Sequence, residues 1–251
     1  MPLRSICSYE TIPFMADSLK KIGLIGGTFD PVHKGHLHLA EQAQKLFDLQ
    51  QVIFIPAYRS PHKLTLEPVS CEHRLAMLTL ALENQPYFSI DKLEIKKNKV
   101  SYTIETLKDL NSLHPDWEIF LILGADAFQT MDTWKECSQL LGFCSILVGT
   151  RPGTELKISK SVQHKLSLEE PEKKVCHSSL ETELIIFKNR KKRGQLILFQ
   201  ISPLDISSNE IRQRISNKEE IKNLLPPSVD HYIMKHRLYQ DDSPSTRDLN
   251  E

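Results

Sequence analysis

The 251-residue chain lacks features that would place it in several simple classes of protein. It has no apolar run near the roughly 20 residues that a membrane-spanning helix needs, and its first residues lack the pattern of a signal peptide. Its 32 basic and 32 acidic residues cancel, so no overall charge attracts nucleic acid or anionic lipid. We therefore expect no membrane or nucleic-acid partner, and any anion binding must be local.

Cysteine is also scarce and unpaired. The five cysteines form no C-x-x-C motif and have no ligand-like spacing with histidine. We therefore expect free thiols in a cytoplasmic protein and no metal centre held by the protein itself.

Hydrophobic residues make up 40% of the chain and charged residues 25%, which is the mixture of a packed globular protein.

Short apolar segments alternate with amphipathic ones. The pattern predicts strands at residues 22–25, 52–55, 119–123 and 145–148, an outlying strand at 92–97, and helices at 36–47, 72–83 and 102–113. Two further helices are expected, one at 207–215 and one within 221–239. Alternation of this kind predicts an α/β fold, namely a Rossmann-like doubly wound parallel sheet with helices on both faces and a C-terminal helical segment.

The chain is expected to form one domain. We assign residues 1–20 to a flexible extension, or to an over-long start with Met15 as the true initiator. Residues 21–239 are the domain, with a longer and less regular insertion at about 154–200. That insertion ends in a predicted hairpin, with strands at 183–187 and 195–201. Residues 240–251 are polar and expected to be a disordered tail.

Polar segments that carry glycine or proline follow each central strand, at residues 26–36, 56–63, 124–126 and 149–152. In open parallel sheets, ligands bind beyond the carboxyl ends of the strands. These segments therefore predict one site at one edge of the sheet.

The first segment, GGTFDPVHKGH at residues 26–36, has the chemistry of a polyphosphate site. Glycines let backbone amides approach phosphate closely, and the helix that follows presents its positive N-terminus. His33 and His36 are three residues apart at the helix start, so both imidazoles can face one anion. The alternative without a functional role is that His33 and His36 are two surface histidines at a turn.

A second candidate lies at residues 207–212, SSNEIR. Ser207 and Ser208 can cap a helix and leave amides for phosphate, and Arg212 can donate two hydrogen bonds from one turn further on. By itself this is an ordinary capping pattern.

These segments resemble a known family. GTFDP and H-x-G-H resemble the signature of the nucleotidyltransferase superfamily, and ISSNEIR is similar to its phosphate-gripping segment, with Asn209 where the family usually has Thr. Five further features resemble the nicotinate-nucleotide adenylyltransferases in particular. They are SYT at 101–103, GAD at 124–126, Trp134, PHK at 61–63 and RPG at 151–153. The resemblance runs in order from about residue 21 to 239.

The resemblance implies a role for each matching residue. His33, His36 and Arg212 would be catalytic. ATP would be bound by Gly26, Gly27, Thr28, Phe29, Asp126, Ile206, Ser207 and Ser208. The acceptor would be bound by Asp30, Lys63, Tyr102, Thr103, Trp134 and Arg151.

The implied reaction transfers the adenylyl group of ATP to nicotinate mononucleotide, giving nicotinate adenine dinucleotide and pyrophosphate in NAD biosynthesis. Mg²⁺ would accompany the ATP phosphates, and the protein would be a monomer or a homo-oligomer. Three alternatives stay open: nicotinamide mononucleotide as acceptor, a different acceptor such as phosphopantetheine, or a nucleotide-binding regulator that has lost catalysis, with Asn209 as its mark.

Overall fold

A computed structural model describes residues 19–61, 68–150, 156, 158–177, 181–202, 204, 206–221 and 223–240. The expected extension at 1–20 and tail at 240–251 fall almost wholly outside the described residues, as do Lys63 and Arg151. Among the helices that the model describes, none combines the length and the apolar character needed to cross a bilayer. The proposed domain limits stay a prediction.

Within these ranges the chain forms eight strands and eight α-helices. The strands are β1 (Lys20–Gly27), β2 (Gln51–Pro56), β3 (Phe88–Ile90), β4 (Trp117–Gly124), β5 (Ser145–Thr150), β6 (Glu172–His177), β7 (Glu181–Lys188) and β8 (Gln195–Gln200). The helices are α1 (Lys34–Leu46), α2 (Cys71–Leu82), α3 (Leu93–Lys97), α4 (Thr103–Leu113), α5 (Ala125–Gln129), α6 (Lys160–Lys165), α7 (Ser208–Ser216) and α8 (Pro227–Lys235). Two 3-10 helices, Met131–Thr133 and Cys137–Gly142, lie between α5 and β5.

The eight strands form one sheet in the order β3-β2-β1-β4-β5-β8-β7-β6. Strands β1 to β5 and β8 are parallel, β7 is antiparallel to β8, and β6 is antiparallel to β7. The chain builds the sheet outward in one direction from β1 and in the other from β4, so the topological switch point lies between these two strands. The predicted doubly wound fold is confirmed, with an antiparallel pair at one edge.

Strand β4 shows why helices cover both faces of the sheet. Phe120 and Ile122 pack into the apolar cluster that includes α1 and α2, whereas Ile119, Leu121 and Leu123 pack into the cluster that includes α4. None of the five is more than 7% exposed. Because successive strand residues point to opposite faces, a strand that is apolar at every position needs cover on both sides.

The expected strand at residues 92–97 is wrong, because this segment contains helix α3. The side chain of Asp91 accepts a hydrogen bond from the backbone N–H of Leu93 at 2.8 Å, which satisfies an amide at the helix start. Asn98 ends the helix in the left-handed conformation, with φ of 53°. These two contacts at the helix ends favour a helix over the strand that the alternating polarity between them predicts.

The region from 154 to 200 is more regular than expected. Besides the predicted hairpin of β7 and β8, it contains α6 and the edge strand β6. Exposed Glu172, Lys173 and Lys174 lie on β6, and Glu172 pairs with Lys188 across the strands at 2.6 Å. Charged edge strands discourage pairing with a second sheet. The same charges made the segment look like a loop in the sequence.

Candidate active site

The loop after β1 is anchored by Phe29, whose ring is only 2% exposed. The ring centroid lies 5.6 Å from that of Phe54 on β2 and 5.1 Å, edge to face, from that of His36. Phe29 itself has a left-handed φ of 51°. The side chain therefore holds the loop and His36 in place.

His36 lies in the first turn of α1 with a defined hydrogen-bonding state. Its Nδ1 accepts a hydrogen bond from the backbone N–H of His33 at 3.2 Å. In the neutral ring the proton must then be on Nε2, so His36 presents a donor on the side away from the helix start. The residue lines a cavity beside the loop.

His33 is packed beneath His36 and is 6% exposed. The two rings stack with centroids 3.7 Å apart. Gly35 leaves room for the His33 ring, since the Cβ of an alanine at residue 35 would lie 3.0 Å from His33 Nδ1. Burial lowers the pKa of His33 to about 4, so the ring is neutral near pH 7. Its Nδ1 is buried and makes no hydrogen bond to any described residue.

Arg212 on α7 is docked against the same loop. Its Nη1 donates to the carbonyl oxygen of Asp30 at 2.6 Å and lies 3.7 Å from the Asp30 carboxylate. Its Nη2 donates to Oδ1 of Asn209 at 3.1 Å. Ser208 Oγ donates to the carbonyl of Pro31 at 2.9 Å, and Ser207 caps α7 by accepting from the N–H of Glu210. The start of α7 and the loop thus form one unit.

Two adjoining cavities, of about 430 and 250 Å³, lie beyond the carboxyl ends of the strands. Gly27, Thr28 and Ser60 line both, so the cavities meet at the loop after β1. The larger is further lined by Gly26, Tyr102, Thr103, Asp126, Trp134 and Lys135. The smaller is further lined by Phe29, Asp30, His36, Ser208 and Arg212.

The sequence has close relatives along most of its length. Residues 24–214 match the cytidylyltransferase-like family. Over 226 residues the chain is 36% identical to a probable nicotinate-nucleotide adenylyltransferase of Geotalea daltonii, a match that covers 88% of this chain and 99% of the relative. A relative of the same name from Thermoanaerobacter sp. is also 36% identical, over 88% of this chain and 95% of its own. The chain belongs to the nicotinate-nucleotide adenylyltransferase family.

The fold of this family member is similar to a solved structure. Plasmodium falciparum nicotinic acid mononucleotide adenylyltransferase, complexed with NaAD, aligns with a TM-score of 0.66 at 22% identity, over 88% of this chain and 97% of that one. At such an identity the likeness supports the architecture alone.

Arg74 on α2 is an organising residue. The sequence suggests it only as a possible contributor to phosphate binding, whereas in the structure it lines neither cavity. Its side chain is 1% exposed. The guanidinium donates at 2.8 Å to the carbonyls of Thr28 and Ala57, and also to those of Tyr58 and Val69. It therefore ties the loop after β1 to the loop after β2, which border the two cavities of this adenylyltransferase family member.

Glu94 is an organising residue without a sequence signal. It is 8% exposed, lines the larger cavity and accepts a hydrogen bond from Thr106 Oγ1 at 2.6 Å. Burial raises the pKa of its carboxyl group. Since Thr106 lies on α4, this contact fixes α3 against the helix that begins with the predicted acceptor residues.

Most of the predicted site residues come together, but in a grouping different from the one expected. Asp126, expected with ATP, lines the larger cavity with Tyr102 and Trp134. Asp30, expected with the acceptor, lines the smaller one beside Arg212. Ile206 lies near the start of α1, since its carbonyl oxygen is 3.7 Å from the point that a Cβ atom at residue 35 would occupy. The predictions for Lys63 and Arg151 concern residues outside those described.

Proposed function

We propose that this chain transfers the adenylyl group of ATP to nicotinate mononucleotide, giving nicotinate adenine dinucleotide and pyrophosphate in NAD biosynthesis. Family membership supports this reaction, because relatives that align with this chain over nearly their whole length are named probable nicotinate-nucleotide adenylyltransferases. The observation that carries the proposal is the meeting of two cavities at Gly27, Thr28 and Ser60. One cavity offers aromatic rings and a carboxylate, and the other offers a histidine and an arginine.

The smaller cavity supports binding of the triphosphate. His36 supplies an Nε2–H donor, Arg212 supplies a guanidinium, and the start of α7 adds its positive end. These groups can stabilise negative charge on the phosphates. His33 lines neither cavity and lies beneath His36, whose ring it supports.

The larger cavity supports binding of the pyridine nucleotide. Tyr102 and Trp134 offer flat rings for stacking against an electron-deficient ring, and the Asp126 carboxylate can accept hydrogen bonds from sugar hydroxyls. Gly26 lines this cavity, and an alanine Cβ there would meet no heavy atom within 4 Å. The space beside Gly26 is therefore open, so a ligand could approach the backbone closely there.

The chemistry follows from positioning. A phosphate oxygen of the mononucleotide attacks the α-phosphorus of ATP, the bond from that phosphorus to the β-phosphate oxygen breaks, and pyrophosphate leaves with the bond's electron pair. No nucleophile from the protein is needed. His36 would stabilise the oxygens of the α-phosphate, and Arg212 would hold the departing pyrophosphate.

Mg²⁺ fits this site as a partner of the substrate. The described residues include no group of three or more His, Cys, Asp or Glu able to hold a metal ion. The buried Asp30 carboxylate already accepts a hydrogen bond from the Tyr239 hydroxyl group and lies 3.7 Å from Arg212 Nη1. We therefore assign Mg²⁺ to the triphosphate oxygens and water, where it would neutralise charge.

Pyrophosphate release with ATP and Mg²⁺ tests the function, with nicotinate and nicotinamide mononucleotides compared side by side. We expect strong preference for the nicotinate form. Equal use of both would refute the specificity, and release with neither would refute the function in favour of another acceptor or a binding regulator. His36→Ala should cut turnover about a hundredfold or more. His38→Ala removes a histidine from the same helix outside both cavities and should leave turnover unchanged.

The cytoplasmic location and the monomeric or homo-oligomeric state stay predictions. Cell fractionation and light scattering would test them directly.

A further inference from the structure

The last described residues turn back toward the smaller cavity after α8. Arg237 and Tyr239 both have left-handed backbones, with φ of 49° and 63°. Such conformations are unfavourable for residues other than glycine, and they persist only where the surroundings impose them. Leu238 between them is buried in the core at 8% exposure, which anchors the turn.

This turn brings one hydroxyl group to the cavity. Tyr239 lines the smaller cavity and its hydroxyl donates a hydrogen bond to Oδ1 of Asp30 at 2.7 Å. Asp30 is 7% exposed, so its carboxylate has few solvent partners. The two residues are 209 positions apart in the chain.

The other carboxylate oxygen of Asp30 faces Arg212 at a distance too long for a strong pair. Oδ2 lies 3.7 Å from Arg212 Nη1, while the same Nη1 donates to the Asp30 backbone carbonyl at 2.6 Å. A carboxylate free to rotate would gain by forming a two-pronged pair with the guanidinium. Such a pair would occupy the donors that a phosphate group needs.

We propose that Tyr239 is a positioning residue that holds the Asp30 carboxylate away from Arg212 and so keeps the guanidinium available to the triphosphate of ATP. This inference rests on the proposed function, because it assigns Arg212 to the phosphates. Burial and the neighbouring Asp30 raise the pKa of Tyr239, which keeps its hydroxyl group a donor. The C-terminal turn is thereby part of the phosphate site.

Tyr239→Phe tests the inference because it removes the hydroxyl group and keeps the ring. We expect the KM for ATP to rise about tenfold, which corresponds to one charge-assisted hydrogen bond, while the KM for the mononucleotide stays unchanged. Tyr232→Phe is the matched control. It removes a hydroxyl from α8 that shares a hydrogen bond with His73 at 3.0 Å and lies outside both cavities, so its KM values should equal those of the wild type.

A second substitution separates positioning from mere anchoring. Asp30→Asn added to Tyr239→Phe leaves no charge to pair with Arg212, so ATP should bind more tightly than to Tyr239→Phe alone. No recovery in the double variant would overturn the inference, and so would equal losses for both substrates in Tyr239→Phe. ATP binding measured by calorimetry without acceptor needs no turnover. A wild type that binds ATP but joins it to neither mononucleotide would therefore refute the proposed function and leave the Tyr239 test standing.

Discussion

The burial of His33 should make the stability of the protein depend on pH in a way that one substitution removes. Burial lowers the pKa of His33 from 6.5 to about 4 in the folded chain, whereas an unfolded chain restores a value near 6.5. At a pH between these two values, His33 is mostly protonated in the unfolded chain and mostly neutral in the folded chain. The contribution of His33 to stability is therefore fully present above about pH 6.5 and is lost as the pH falls toward about 4.

The magnitude follows from the shift. One pKa unit corresponds to about 1.4 kcal/mol, so the full shift is worth roughly 3 kcal/mol, of which about 2 kcal/mol is lost between about pH 7.5 and about pH 5. This is a large share of the roughly 5–15 kcal/mol by which most domains are stable. The loss should therefore be measurable by urea unfolding.

The assay compares the free energy of unfolding at the two pH values in the wild type and in His33→Asn, which cannot titrate. Taking the difference within each protein cancels the packing cost of the substitution. The wild type should lose about 2 kcal/mol more than the variant. Equal losses would refute the reasoning that burial, without a compensating partner, governs this histidine. His38→Asn controls for the loss of one histidine from α1.

Two further outcomes are expected. Arg74→Met should lower the free energy of unfolding by about 3–5 kcal/mol in urea titrations, because it leaves buried carbonyls of both cavity loops without a donor; a loss below about 1 kcal/mol would show that those loops hold without it. Asn209→Ala should raise the KM for ATP a few-fold without changing the KM for the mononucleotide, because the guanidinium of Arg212 loses its Oδ1 partner. Unchanged ATP kinetics in Asn209→Ala would contradict that role.

Those parts of the site that are local in sequence were predictable. The loop at residues 26–36 and the α7 start each combine a strand or helix signal with polar residues a few positions away, and both line the smaller cavity. Asn209 departs from the usual Thr, yet it accepts a hydrogen bond from Arg212, so the departure does not by itself mark a loss of catalysis. The stacking of His33 beneath His36 could not be predicted from their spacing. The spacing indicates that both side chains lie on one face of the helix, but it does not show which of them is buried.

The parts that depend on distant contacts were not predictable. The sequence suggests Arg74 only as a possible contributor to phosphate binding and Tyr239 only as the end of a helical segment. Their actual contacts could not be predicted, since their partners lie 46 and 209 positions away. Strand β6 has no apolar alternation because it is an exposed edge. In each case the deciding interaction is absent from the local pattern.

The loop after β1 shows how these distant contacts serve the site. Three of its carbonyl oxygens, those of Thr28, Asp30 and Pro31, accept hydrogen bonds from Arg74, Arg212 and Ser208 respectively. A carbonyl oxygen aimed into a phosphate site would repel the ligand, because both carry negative charge. Donors on α2 and α7 fix these three oxygens on protein partners. Under the proposed function Arg212 would have two tasks, since one nitrogen holds the loop while the guanidinium as a whole would supply positive charge to the phosphates. Its surroundings suit both tasks, because Asn209 supports the guanidinium and Tyr239 restrains the carboxylate of Asp30.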